Sequence, residues 1–292
     1  YATDWLQLDD EKWMLFIPWH FPLQDDSAVT GSSQKAESAF QKQFPRIFEH
    51  LVSHKKELSE RNQAETGIRY EWYALQRWAA DYHTDFLKPK IVYPEITKRL
   101  NFFLDTDGAF YTNNKTFILT SDFESLPYLA AALNSTLFRC CFMDNFPNLG
   151  EDRRELRKIF MDKIPIRKPT AQQVTLFEAL VPMVQAVKAE SQKSGNTELQ
   201  SVGAFLEEVI DACVMEVYFA DDMAEHRLGI MAHVTPLLQD FDAAAPPARQ
   251  VALAQQFYAQ ANDSKHPIRN ILIRIPVDSP DLLAVIQREG AV

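Results

Sequence analysis

The stretch that most constrains the fold is "NFFLDTDGAFYTNNKTFILTS", residues 101–121. Two apolar runs rich in β-branched and aromatic residues flank Asp107-Gly108, a dipeptide suited to the positive-φ geometry of a hairpin turn. "PKIVYPEI", residues 89–96, adds another strand just before it. Beyond Thr170 the pattern turns to helix after helix. Between Ser201 and Phe219, Val202, Phe205, Leu206, Val209, Ile210, Cys213, Val214 and Val217 follow i, i+3, i+4, i+7 spacing. Strands first and helices afterwards predict an α+β chain: a mixed-sheet lobe over residues 1–168 and a mainly helical C-terminal lobe over 169–292.

The remaining elements are read in the same way. "KWMLFIPWHFPL" (12–23) reads as a buried strand. Lys35 to about Arg61 reads as helix with a Lys-rich polar face, kinked or restarted at Pro45. "IRYEWYALQRW" (68–78) suggests a short strand or turn leading into one helical turn. "SLPYLAAALNSTLFRCCFMD" (125–144) is a core helix capped by Ser125, and Arg153, Arg154, Arg157 and Lys158 are spaced for one helix face. "RNILIRIPV" (269–277) reads as a strand. "SPDLLAVIQREG" (279–290) is a final helix capped by Ser279, with Pro280 at its first position and Gly290 as its stop.

Composition excludes several classes. With 46% hydrophobic and 24% charged residues the chain is an ordinary globular one. Its apolar runs are interrupted well short of the roughly 20 residues that a membrane-spanning helix needs. Three cysteines, two of them adjacent, supply no disulfide framework, and a reducing cytosol is expected. The abrupt start in "YATDWLQLDD", without an initiator Met, is what a fragment would show. Gly-rich phosphate loops, HExxH, CxxC and GxSxG are all missing from the sequence. His50 and His54 stand four apart with no third metal ligand near in sequence. Glu95 with Lys98 lacks the partner acids of a nuclease site, and a surface ion pair is its simpler reading.

Net charge is −10, which taken whole opposes a nucleic-acid partner. By segment the balance differs. Residues 1–30 carry one Lys against six acids, and 169–292 carry eight basic residues against 16 acidic ones. Residues 31–168 carry 21 against 18, so a locally positive face is possible in the middle of the chain.

"YEWYALQR" (70–77), "KPKIVYPEI" (88–96), "FFLDTDGAFYTNNKTFILT" (102–120) and "YLAAALNSTLF" (128–138), in that order, resemble the TaqI-like C-terminal specificity domain. This is the target-recognition region of Eco57I-type type IIG restriction-modification enzymes and of related phage-exclusion adenine-N6 DNA methyltransferases. "FPRIFEHLVSHKKELSERN", "IFMDKIPIRKP" and "FLEEVIDACVMEVYF" extend the resemblance from about Lys12 to Phe219. It implies double-stranded DNA as partner and a cytoplasmic protein. It also implies an S-adenosylmethionine-dependent methyltransferase domain on the N-terminal side of the same parent chain, which carries an "NPPY" motif. This sequence has no such motif, so the fragment is expected to be catalytically silent and to hold no cofactor. The acidic region after Phe219 matches nothing in the family.

Base edges are read by Arg, Asn and Gln, and phosphates are held by Lys and Arg. On that chemistry the candidate DNA-binding residues are Arg77, Lys88, Lys90, Asn113, Asn114, Lys115, Arg153, Arg154 and Arg157. Each has a structural alternative. Arg77 could brace its motif through a salt bridge, and Lys88 and Lys90 could guard a solvated strand edge. Asn113 to Lys115 could form a bulge or turn. Glu151, Asp152 and Glu155 could neutralise the arginine cluster on a solvated helix face. Trp72 and Tyr93 are read as core. A reading of a different class is a protein-interaction module whose acidic helical tail binds a partner subunit or mimics DNA charge.

Overall fold

Prolines set the course of the first part of the chain. The structure, a computed structural model, describes residues 15–78, 81–112, 115–142, 145–151 and 153–287. The described part of the expected first strand, from residue 15 onward, runs as coil and turns instead. Pro18 and Pro22 remove two ladder donors, and His20 sits at φ 62, outside any strand geometry. Ile17 is nonetheless buried, with its carbonyl accepting from Leu75 N–H at 2.9 Å, while Leu15 is exposed.

Helix α1 (Gln34–Gln43) begins at Ser33, whose hydroxyl accepts from the Ala36 N–H. Pro45 then starts a fresh helix, α2 (Pro45–Val52), followed by α3 (Lys55–Glu60), as the proline in the sequence leads one to expect. Phe40, Phe48, Tyr70, Trp72 and Tyr73 form an aromatic core, with the Phe40 and Tyr73 rings 4.7 Å apart. Residues 68–78 fold as turns around one Thr66–Tyr70 bridge, without the helical turn expected there. Arg61 ties this segment down by donating to the carbonyls of Trp72 and Ala74 at 3.0 and 2.8 Å. Leu8–Asp85 is one compact unit and Phe86–Val292 belongs to the other.

The second unit opens with strand β1 (Lys90–Pro94) and the short β2 (Ile96–Thr97), followed by β3 (Phe103–Asp105) and β4 (Thr116–Leu119). The sheet order is β3-β1-β4: Ile91 pairs with Leu104 on one side and with Leu119 on the other. β3 and β4 therefore do not form the expected hairpin with each other, and every strand pair described is antiparallel where a mixed sheet was expected. The central position of β1 follows from its four consecutive buried residues, Lys90 to Tyr93. A strand hidden on both faces belongs between neighbours.

Helices α4 (Leu126–Asn134) and α5 (Thr136–Phe142) replace the single helix expected over 125–144. The break falls at Ser135, and the Thr136 N–H and hydroxyl both turn to the Asp211 carboxylate. Strand β5 (Arg154–Glu155) pairs with β2, and α6 (Lys158–Met161) leads to an extended exit held by the Tyr128 hydroxyl, which donates to the Arg167 carbonyl.

Two long helices follow. α7 (Ala171–Ser194) starts in a capping box of Thr170 and Gln173, and α8 (Thr197–Tyr218) is capped by Asn196. Shorter helices α9 (Ala220–Glu225) and α10 (Met231–Val234) precede α11 (Pro247–Ala261), α12 (Pro267–Asp278) and α13 (Pro280–Gln287). α12 covers the segment expected as a strand. Pro267 at its start and His266 as its cap set the helix, and Ile268, Ile271 and Ile275 are buried at helical spacing despite their strand propensity. Ser279 precedes α13 and donates to Asp222, while the expected stop at Gly290 lies outside the described residues.

One apolar core runs from Ile91 and Leu104 through Leu129 and Leu133, across Leu180, Val184, Leu206 and Val209, to Ile271 and Leu282. Compactness consequently divides the chain at 85/86, whereas composition had suggested 168/169. Gln185 of α7 shows how closely the strands and later helices are joined. Its amide accepts from Leu104 N–H at 3.2 Å and donates to Leu104 O at 3.0 Å, pairing with β3 as another strand would. Among the described residues no helix is long and apolar enough to cross a membrane.

Candidate nucleic-acid interface

Pro94 ends the central strand, and Glu95 becomes a junction between three stretches of chain. Its N–H donates to the Lys115 carbonyl at 2.9 Å, and its own carbonyl accepts from Leu156 N–H at 2.8 Å. The start of β4 and the end of β5 are thereby held on either side of one residue. From there β2 continues with Thr97 opposite Arg154.

The loop before β5 is a tight turn. Asn148 accepts from Gly150 N–H through its side chain at 2.9 Å, and Gly150 takes a φ of +85, which suits glycine. Arg153 N–H returns to the Gly150 carbonyl at 3.1 Å. This turn carries Arg153 to the corner where Lys98 and Arg99 leave β2.

Six cations share this corner: Lys98, Arg99, Lys115, Arg153, Arg154 and Arg157. All are exposed except Arg154, which is half-buried. Three described carboxylates lie among them. Glu151 stands 3.9 Å from Lys98 and 3.8 Å from Arg153, Glu155 is 2.8 Å from Arg157, and Glu95 is 3.7 Å from Lys115. The hydrogen bond that Arg157 donates to the Glu155 carboxylate is also the main reason that its guanidinium is held above its ordinary pKa. Arg99 has no carboxylate partner among the described residues. The surface is cationic by a modest margin and exposed, so its pairs can be exchanged for phosphate oxygens at little cost.

The candidate residues separate on this map. Lys115, Arg153, Arg154 and Arg157 come together, although not on one helix. Arg154 lies in β5, and Arg153 and Arg157 flank that strand. Lys158, spaced to join them, begins α6 and pairs with Asp162 at 2.6 Å. Lys88 is exposed on the approach to β1. Lys90, two residues on, is fully buried: its Nζ pairs with Asp105 and donates to the Phe86 carbonyl at 2.7 Å, so it is withdrawn from the candidate set. Arg77 is exposed in the Leu8–Asp85 unit and makes no ion pair among the described residues, so the expected alternative of a bracing salt bridge is not formed. Arg61 is the arginine that braces that motif. Asn113 and Asn114 lie outside the described residues.

Lys98 and Arg99 are the cations that the sequence reading passed over as DNA contacts. Lys98 was paired with Glu95 by proximity in sequence, but the structure gives Glu95 to Lys115 and Lys98 to Glu151. Trp72 and Tyr93 are core residues as expected, and burial together with the charge of Asp162 pushes the Tyr93 phenol up to about 12. A groove of about 350 Å³ lies between α7 and α8, lined by Lys188, Ser191, Gln192, Leu199, Gly203 and Glu207. Lys188 and Glu207 pair across it at 2.6 Å, and no aromatic face lines it to receive an adenine ring. No group of three or more His, Cys, Asp or Glu residues that could hold a metal ion occurs among the described residues.

The α+β fold thus carries an exposed, mostly cationic corner built on the short β2–β5 pair. Residues 38–166 match the family model described as the TaqI-like C-terminal specificity domain. The matched segment crosses the 85/86 division and ends just before α7. No curated protein matches the chain in a sequence search.

Proposed function

We propose that the chain is the sequence-reading part of an adenine-N6 DNA methyltransferase of a type IIG restriction-modification or phage-defence system. It selects the DNA target and is catalytically silent by itself. Methyl transfer from S-adenosylmethionine belongs to a methyltransferase domain of the same parent chain, acting in the cytoplasm. The observation that carries this reading is the gathering of Lys98, Arg99, Lys115, Arg153, Arg154 and Arg157 around the β2–β5 pair, inside the segment that matches the specificity domain. Phosphate contacts from such a corner fix register on the duplex, and amide or guanidinium groups beside it read base edges.

Duplex binding by the full chain, titrated across salt concentration, tests the proposal. Each phosphate contact contributes a slope of about −0.9 in log K against log salt, so four to six contacts give a steep dependence. Salt-independent retention, or no retention at all, would overturn it. A second reading, a partner-binding surface on the acidic helices after residue 170, draws support from Ile273 and Val277, exposed one turn apart on α12. Binding of a partner protein without any DNA retention would favour it.

A further inference from the structure

We infer that Arg99 reads a guanine edge in the DNA target, and that the buried Thr97 hydroxyl positions it for that task. This assignment rests on the DNA-recognition reading above and adds to it the side chain that discriminates between sequences and the base it selects.

The cations of the corner differ in what they already hold. Lys98 and Arg153 share Glu151, Lys115 faces Glu95, and Arg157 bonds Glu155. Arg154 is half-buried in β5. Arg99 is exposed, and its guanidinium meets no carboxylate among the described residues. The two tasks at a DNA surface make unlike demands. A phosphate contact tolerates a mobile cation that exchanges one anion for another in water. A base-edge contact needs two donors in fixed geometry, and guanine presents two acceptors, N7 and O6, side by side in the major groove. The guanidinium fork carries donors and no acceptor, which matches guanine and not adenine, whose edge includes the N6 donor.

The backbone beneath Arg99 is fixed from both sides. Thr97 ends β2 opposite Arg154 and is buried. Its hydroxyl donates to the Arg99 carbonyl and accepts from the Arg99 N–H at 3.1 Å, so one buried oxygen holds both backbone polar groups of that residue. Three residues further on, Phe102 is clamped in the same manner. Its N–H donates to Asn134 Oδ1 at 3.0 Å, and its carbonyl accepts from Asn134 Nδ2 at 2.8 Å. Between the two clamps Leu100 packs against the core. The bend from β2 to β3 is therefore tied to the strand pair at one end and to α4 at the other. Water could satisfy the polar groups of an exposed bend, but a buried hydroxyl also fixes where they stand. With the backbone in place, only side-chain rotamers remain to be ordered when Arg99 meets a base, which lowers the cost of the contact.

The test is selection from a randomised duplex library with the full chain, comparing wild type with Arg99→Lys, Thr97→Val, Thr97→Ser and Lys98→Gln. Each protein is also checked for cooperative unfolding and for the salt dependence of binding to one fixed duplex. Arg99→Lys keeps the charge and loses the fork. Its salt slope is expected to stay, while preference for guanine at one position falls about tenfold or more, the scale of one good base contact. Lys98→Gln is expected to do the opposite, with a shallower salt slope and the same preferred sequence. Thr97→Val is expected to weaken preference at the Arg99 position, and Thr97→Ser, which keeps the hydroxyl, to retain it. A merely structural Thr97 would lower the unfolding midpoint without moving that preference, which overturns its positioning role. Arg99→Lys that enriches the same sequence as strongly as wild type overturns the inference and leaves the DNA reading intact. Should Arg99→Lys fail to fold, Arg99→Gln replaces it. The base preferred there is then expected to move towards adenine, and an unchanged guanine preference overturns the inference. Wild type that binds duplex with a steep salt slope yet enriches no guanine also overturns it, and wild type that retains no duplex removes the DNA reading as well.

Discussion

Lys90 and the arginines around β5 carry the same charge in opposite surroundings. Lys90 has no solvent exposure and spends its charge on Asp105 and a loop carbonyl, whereas Arg153 and Arg157 keep about half their side-chain surface in water beside carboxylates they can release. The first kind of cation shapes the protein and the second can shape a complex. Lys88 and Lys90, two residues apart in "LKPKIVYPEI", look identical as sequence, and only the placement of β1 at the sheet centre tells them apart.

The difference can be broken by substitution. Lys90→Met leaves Asp105 charged and buried without its partner, so a loss of about 3–5 kcal/mol is expected in urea unfolding. An unaltered midpoint would show that the pair is not structural. Gly108→Ala places a side chain against the Leu87 backbone at φ +65, and a cost of about 1–3 kcal/mol is expected from the same measurement. At the corner, Arg153→Gln, Arg154→Gln and Arg157→Gln combined should leave the unfolding midpoint in place. They should flatten the salt dependence of DNA binding by about 0.9 for each phosphate contact removed.

Two smaller effects sharpen the contrast. Glu151→Gln frees Lys98 and Arg153 from a shared carboxylate, and tighter binding to any duplex is expected, by less than about fivefold because the pairs are exposed. Weaker binding would mean that Glu151 positions the two cations instead of masking them. Tyr93 gives the least effect. Its phenol is raised to about 12 by burial, so the neutral form is favoured in the folded state. That contribution is complete below about pH 10, where an unfolded tyrosine titrates, and is lost as pH rises towards 12. Tyr93→Phe should remove this part of the alkaline destabilisation, as read by unfolding at successive pH values.

The helical periodicity of α8, the restart at Pro45 and the aromatic core around Trp72 were legible because local spacing and proline geometry determine them. The partnership of β2 with β5 was not, since Thr97 and Arg154 meet only through a long-range pairing that leaves no local signature. For the same reason Arg153, Arg154 and Arg157 were read together but on a helix face, whereas they lie in and beside β5, and Lys98 and Arg99 escaped notice. α12 was misread because its isoleucines favour strands, while the decisive signals were Pro267 and the three- and four-residue spacing of its buried face. The sequence turn at Asp107-Gly108 is present, but it folds a loop over the sheet instead of joining two paired strands.

The Gln185 clip on Leu104 and the core common to strands and helices bear on how such a protein could acquire a new target. Recombination between related genes that replaced only the part before residue 169 would hand the incoming strands a foreign helical partner, with no matching amide for the free edge of β3. A new specificity should therefore be inherited together with α7 and α8, as one block.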